Sequence, residues 1–176
     1  MEGVHDLNIA NSSFGSDSVL VAATIVNTLK SVVRTVNIYN TDIKGLESAG
    51  GIAVSVIASA TDPAMILNSS VVGGSVGASI KAGGIAATAS GNILGCSNSA
   101  KVYNKANPSE SLYGNGREVY FGGIVGQSRV LNGVAMASCV NRGKVEVDLP
   151  YRIAYVGGIV GNLVGKVENL PNYGGV

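Results

Sequence analysis

The tripeptide Gly-Gly-Ile recurs four times in this chain, at Gly50-Gly51-Ile52, Gly83-Gly84-Ile85, Gly122-Gly123-Ile124 and Gly157-Gly158-Ile159. The second glycines lie 33, 39 and 35 residues apart, and the last two copies extend to the identical Gly-Gly-Ile-Val-Gly. A second block follows each anchor: Val72-Gly73-Gly74-Ser75-Val76, Asn98-Ser99-Ala100-Lys101-Val102, Asn141-Arg142-Gly143-Lys144-Val145 and Asn172-Tyr173-Gly174-Gly175-Val176. From second anchor glycine to closing valine the distances are 25, 18, 22 and 18 residues in chain order. Fixed blocks on variable spacers imply fixed strands joined by variable turns. A unit of this size cannot bury its own apolar face, so such repeats are stable only as a stack with one continuous interior.

The residue types support strands. Apolar residues make up 46% of the 176, aromatics 5%, and there is no Trp. The apolar mass is Val, Ile, Ala and Leu, of which the β-branched members favour a pleated, half-buried surface. Gly is abundant at 25 residues and charged residues are sparse at 13%, which suits tight corners and closely stacked backbones. Ile52–Ala58, Ile85–Ala89, Phe121–Val125 and Val156–Val160 read as short strands, and Lys144–Val147 and Lys166–Glu168 alternate as half-buried ones. No segment carries a capped helical stripe, and Val19–Val33 is too β-branched to be a good helix.

The expected architecture is all-β: a right-handed parallel β-helix-like solenoid of about five coils with one long inserted loop, forming a single domain over 1–176. The expected units are a degenerate first coil over 1–49, then repeats at 50–82, 83–121, 122–156 and 157–176. In the first coil Val19–Val26 replaces the anchor strand and Asn37–Ile43 stands for the closing block. Stacked coils are spaced by ~4.8 Å, giving a rod ~24 Å long whose ends need caps. The recurring Asn is placed to stack as an amide ladder. The N-terminus lacks a secretion signal's basic start and apolar stretch, and the chain reads as an excerpt of a longer one with an added Met1.

With the block Gly-Gly-Ile-Val-Gly and the Asn/Ser-Cys-x-Asn-x-Gly-x-Val type block after it, Gly50 to Val176 resembles the GLUG-type repeat. Such repeats stand in tandem in large surface proteins of bacteria and protists, including adhesins and the non-catalytic part of some IgA-cleaving metallopeptidases. The resemblance implies a right-handed β-helix-like stack and a surface role, and it carries over no catalytic residue. The zinc-peptidase signature His-Glu-x-x-His is absent, and His5 is the sole histidine.

Several chemistries find little footing. Net charge is +1 with no basic stripe, which argues against nucleic acid. The uncharged stretches Pro63–Ile80 and Ala82–Ala100 are interrupted by Ser, Asn and Gly, so no membrane insertion is expected. Gly122–Gly126 mimics a phosphate loop, but that motif occurs once, between a strand and a helix; no cofactor is expected. Gly157-x-x-x-Gly161 lacks the membrane helix its dimer motif needs. Acidic residues are dispersed, and Glu146 and Asp148 with Arg152 read as a solvated face. Cys96 and Cys139 each stand two residues before the block's Asn. They form either a coil-to-coil disulfide or a pair of stacked buried thiols, and with a remote His5 they do not make a zinc site. Asn11 and Asn68 begin glycosylation sequons.

Recognition points to the insertion between Val102 and Gly122, with Tyr103, Tyr113, Arg117 and Tyr120 as candidate contacts. Gly51, Gly84, Gly123 and Gly158 are the structural anchors. The expected role is a non-catalytic repeat module of a cell-surface or secreted protein, a stalk or adhesive segment with a protein or glycan ligand. Two alternatives stay open: a carbohydrate-active β-helix enzyme, which needs clustered carboxylates, and a structural element that self-associates end to end through its open coils.

Overall fold

A computed structural model describes residues 3–105, 118–148 and 153–176. Among these residues the structure is all-β, without a helix, and every strand pair in register is parallel. The chain is a parallel β-helix. One face stacks Val21–Ala23, Ser48–Gly50, Lys81–Gly83, Val119–Gly122 and Ala154–Gly157. The next stacks Val26–Leu29, Ala53–Val56, Ala86–Ala89 and the starts of Val125–Ala137 and Val160–Glu168. A third is built on Val33, Ile66, Ile93, Met136 and Val167 in one register, with Val4 paired to Val33.

The anchor isoleucines lie one over another. Ile25 N–H donates to Ile52 O at 3.1 Å, Ile52 to Ile85 at 2.9 Å, Ile85 to Ile124 at 2.9 Å and Ile124 to Ile159 at 2.8 Å. Ile52, Ile85 and Ile124 are fully buried. Ile25 takes the anchor position of the degenerate first coil, as Val19–Val26 predicts. The stretch 1–49 also holds a further part-turn, because Val4–Ala10 and Ser13–Gly15 lie against Val32–Lys44.

Two local expectations are corrected. Phe121–Val125 and Val156–Val160 are not continuous strands: Gly122 ends one strand and Val125 starts another, with Gly123-Ile124 bent between them. The same break separates Val156 from Val160. The anchor is a corner. The closing block is also shifted in the early coils: Asn98 pairs with Val71, and Val71 with Ile38, so neither Val72 nor Asn37 occupies the Asn position. Ile38–Ile43 and Val71–Val76 are one residue longer than Asn98–Val102, yet Ile43, Val76 and Val102 share a register. Left-handed residues absorb the surplus, Asn40 at φ 45° and Gly73 and Gly74 at 68° and 70°.

A left-handed corner also recurs two residues after the third-face position. Asp6, Thr35, Asn68, Gly95, Ser138 and Asn169 have φ of 53°, 53°, 46°, 64°, 53° and 50°. Gly and Asn suit this conformation; a β-branched Thr does not. Thr35 is exposed, so its side chain returns little packing. Thr35→Gly is expected to stabilise the chain by about 0.5–1 kcal/mol, the relief of αL strain less the added unfolded-state entropy. Urea denaturation measures it, and a loss of stability would contradict the assignment of strain.

Candidate functional site

What the repeated residues do is seen at the anchor glycines. Gly51, Gly84, Gly123 and Gly158 all have ordinary negative φ, so left-handed geometry is not their reason. Close approach is. A Cβ on Gly84 would lie 2.2 Å from Gly123 O and 2.3 Å from Asn98 Cγ; on Gly123, 2.1 Å from Gly158 O and 2.3 Å from Asn141 Cγ. On Gly158 it would meet Asn172 Nδ2 at 2.1 Å, and on Gly51 the Val71 side chain at 2.7 Å. The missing side chain is the seat of the Asn that follows in the same repeat.

Those asparagines form the expected ladder. Asn98 Nδ2 donates to Asn141 Oδ1 at 3.0 Å, and Asn141 Nδ2 to Asn172 Oδ1 at 3.0 Å. Each amide also caps its own corner: Asn141 Nδ2 donates to Gly143 O at 2.8 Å, and Oδ1 accepts Gly143 N–H at 3.1 Å. Asn98 does the same with Ala100. Asn98 and Asn141 are completely enclosed, and the ladder meets the donors and acceptors that burial would otherwise strand. Below Asn98 the column turns aliphatic through Val71, Ile38 and Ile9.

A second interior row runs through Val36, Ser69, Cys96 and Cys139. Val36 N–H donates to Ser69 Oγ at 3.1 Å, and Cys96 N–H to Cys139 Sγ at 3.4 Å. Ser69 Oγ donates in turn to Leu67 O at 2.8 Å; the thiols of Cys96 and Cys139 donate to Leu94 O and Ala137 O at 3.4 and 3.3 Å. Both cysteines are free and buried. The contact with Cys139, together with burial, pushes the Cys96 thiol well above its ordinary value, so thiolate chemistry there is suppressed.

The roots of the insertion are fixed on the stack. Tyr103 belongs to the strand Lys101–Asn104, and its ring covers Gly77, where a Cβ would lie 2.3 Å from Tyr103 Cζ. Lys101 Nζ is 5.7 Å from that ring's centroid. Asn104 bonds Asp148 through both amide atoms, accepting its N–H at 2.6 Å and donating to its O at 3.1 Å. Lys105, nearly enclosed, pairs with Asp17, and this bond holds the Asp17 carboxyl below its usual range. Tyr120 lies in the strand Val119–Gly122, not on a loop tip, and only 8% of it is exposed. Its ring stacks on Tyr155 at 5.1 Å and 10°, with Lys81 Nζ 5.3 Å from the Tyr120 ring centroid. Its hydroxyl donates to Glu118, which also accepts from Tyr155 at 3.1 Å. That bond to a carboxylate pushes the Tyr120 hydroxyl up to about 12.

Tyr103 and Tyr120 are therefore supports at the two ends of the insertion. Tyr113 and Arg117 lie outside the described residues. Tyr155, Glu118 and Lys81 complete the cluster and are absent from the sequence-based candidates. A signal exists: Lys81, Tyr120 and Tyr155 each stand two residues before the first anchor glycine, in register. Glu146 is held by Lys101 at 3.2 Å and Lys144 at 2.9 Å, which keep its carboxyl below the usual range; Arg152 is outside the described residues. Among the described residues no three His, Cys, Asp or Glu side chains gather where a metal could be held, and no helix is long and apolar enough to cross a membrane. No family model, curated protein or solved structure matches the chain.

Two substitution series follow from the interior rows. Asn141→Val strips partners from Asn98, Asn172 and the Gly143 backbone at once, and is expected to cost roughly 3 kcal/mol or more. Asn98→Val, which lengthens the aliphatic column already built on Val71, should cost distinctly less. Chemical denaturation of both variants checks the order; equal losses would show that the ladder is not cooperative. In the second row Cys139→Ser keeps an acceptor for Cys96 N–H, whereas Cys139→Val removes it at about 1–3 kcal/mol. The serine variant should be the more stable by the same measurement, despite valine's greater hydrophobicity.

Proposed function

We propose that this chain is a non-catalytic repeat module of a cell-surface or secreted protein, a rigid stack that carries its insertion as a contact segment. The observation that supports the reading most is the use made of the repeated residues. Anchor Gly, ladder Asn, interior Cys and corner Ile all contact the coil above or below. The repeat is devoted to stacking. What departs from it is the segment between Tyr103 and Tyr120, and both of its roots are clamped, by Asn104 with Asp148 and Lys105 with Asp17, and by Glu118 beneath Tyr120 and Tyr155. A variable segment on a rigid support is the arrangement in which binding residues are held without reorganisation cost. The GLUG-type resemblance agrees with a surface role.

The carbohydrate-active alternative needs clustered acids in one groove. Here Glu146 is engaged by two lysines, Glu118 by two tyrosines and Asp17 by Lys105. These placements favour the binding reading.

The test compares the intact chain with one in which residues 106–117 are replaced by a short Gly-Ser link. Both are fluorescently labelled and applied to an array of acidic and neutral glycans and matrix proteins. The intact chain is expected to bind at least one array member, and the shortened chain to lose that binding while keeping its circular dichroism and melting temperature. Retained binding excludes the insertion as the contact segment. New reducing ends released from any bound glycan would overturn the non-catalytic reading.

A further inference from the structure

The corner between the second and third faces is turned differently in successive coils. After Ala53–Val56 the chain leaves through Ile57–Ala64 before rejoining at Met65. After Ala86–Ala89 it turns in two residues, Ser90 and Gly91, and resumes at Asn92. The next coil runs on from Arg129 to Val134 before Met136 rejoins the register with Ile93. A recessed turn between two projecting ones leaves a cleft of about 550 Å³. Ala58 and Ala60 form one wall, Ser90 the floor, and Arg129 and Leu131 the other wall. Ser90 and Arg129 also border an adjoining hollow of about 200 Å³ that reaches Thr88 and Gln127.

The walls are set in place. Ser59 N–H donates to Asp62 O at 3.0 Å, Asp62 N–H returns to Ser59 Oγ at 3.0 Å, and the Asp62 carboxylate accepts from Ser59 and Thr61 at 3.3 Å. The opposite wall is tied down where Asn92 Nδ2 donates to Val134 O. Gly91 keeps the floor low, since a Cβ there would lie 2.1 Å from Ala64 O. Arg129 is exposed, and among the described residues its guanidinium has neither a hydrogen bond nor an ion pair. Asp62, the acid of the facing loop, is spent within that loop. Beside the cation, Leu131 and Ile57 are 74% and 43% exposed.

We infer that this cleft binds an extended peptide carrying a carboxylate side chain between aliphatic residues. An unpaired guanidinium offers a planar two-donor fork that fits a carboxylate. Leu131 and Ile57 supply apolar contact on either side of it, and a cleft of this volume admits a few residues. Toward the Ser90 turn, residues 129–133 take no place in the register between Ala89↔Ser128 and Ile93↔Met136, so their main chain stands where an extended peptide pairs. A glycan fits less well, because among the described residues no aromatic ring lines the cleft for a pyranose to stack on. This site lies at a different corner from the insertion, goes beyond the proposed contact segment, and does not depend on it.

Fluorescence anisotropy tests it with three labelled probes: a short alanine-valine peptide with one central glutamate, its glutamine counterpart, and a hyaluronan oligosaccharide as an acidic glycan. The glutamate peptide is expected to bind at least about tenfold tighter than the glutamine peptide, the span of one charge-assisted contact. Arg129→Gln should abolish that difference and Arg129→Lys keep part of it, with unchanged melting temperatures because the side chain is exposed. Leu131→Ser should weaken both peptides alike. Equal binding of the two peptides, unchanged selectivity in Arg129→Gln, or Arg129-dependent binding of hyaluronan in place of the peptide would each overturn the inference. Replacing 106–117 should leave all these values unchanged, which separates this result from that of the insertion.

Discussion

The fold depends on the seating of one residue upon another: the Asn of the closing block occupies the space that a Cβ would fill on the second anchor glycine of its own repeat. Gly84 receives Asn98, Gly123 receives Asn141 and Gly158 receives Asn172. This contact crosses the interior, so it fixes the width of the coil as well as its height. It also explains why two blocks recur together although the spacer between them varies. Where the Asn is missing another side chain must fill the space, as Val71 does at Gly51, and a Cβ in place of the glycine hydrogen would clash with the Asn amide. Packing and hydrogen bonding are thus specified by the same pair, and each coil becomes a template for the next.

The ladder polarises the stack. Above Asn98 the column is amide, below it aliphatic. An amide in the column needs an amide neighbour to complete its bonding, whereas an aliphatic residue needs only a close surface.

Much of this was legible in the sequence. The Gly-Gly-Ile anchors and the closing Asn fall in phase because their neighbours in space are copies of themselves, so spacing alone reveals the stack. Sequence spacing misaligns the early coils by one residue because Asn40, Gly73 and Gly74 swallow the extra length locally, and nothing in the apolar pattern marks that. Their spacing marks Cys96 and Cys139 as stacked equivalents, but the work of Cys139 as an acceptor for the coil below is visible only beside Ser69, whose kinship with it the differing side chains hide. In the sequence Tyr120 reads as a loop contact because it adjoins the insertion. Its position two residues before the anchor, shared with Lys81 and Tyr155, puts it on the stack instead. Nothing in the sequence marks Arg129, because its cleft is made by the shortness of another coil's turn, a relation between spacers that no single segment carries.

Those spacers are where this fold has freedom. A ladder position admits few side chains, since every change is felt by two neighbours and by the glycine opposite. A corner is different: between fixed strands the chain can turn in two residues, as at Ser90-Gly91, or travel through eight, as at Ile57–Ala64, without disturbing the register on either side. Lengthening a surface loop costs little free energy, growing only logarithmically with length. Recesses and projections therefore arise from neighbouring coils of unequal length, and their walls inherit the rigidity of the stack beneath. A binding surface built this way is preorganised by residues that never touch the ligand, which is how a chain with so few charges and aromatics can still present a defined site.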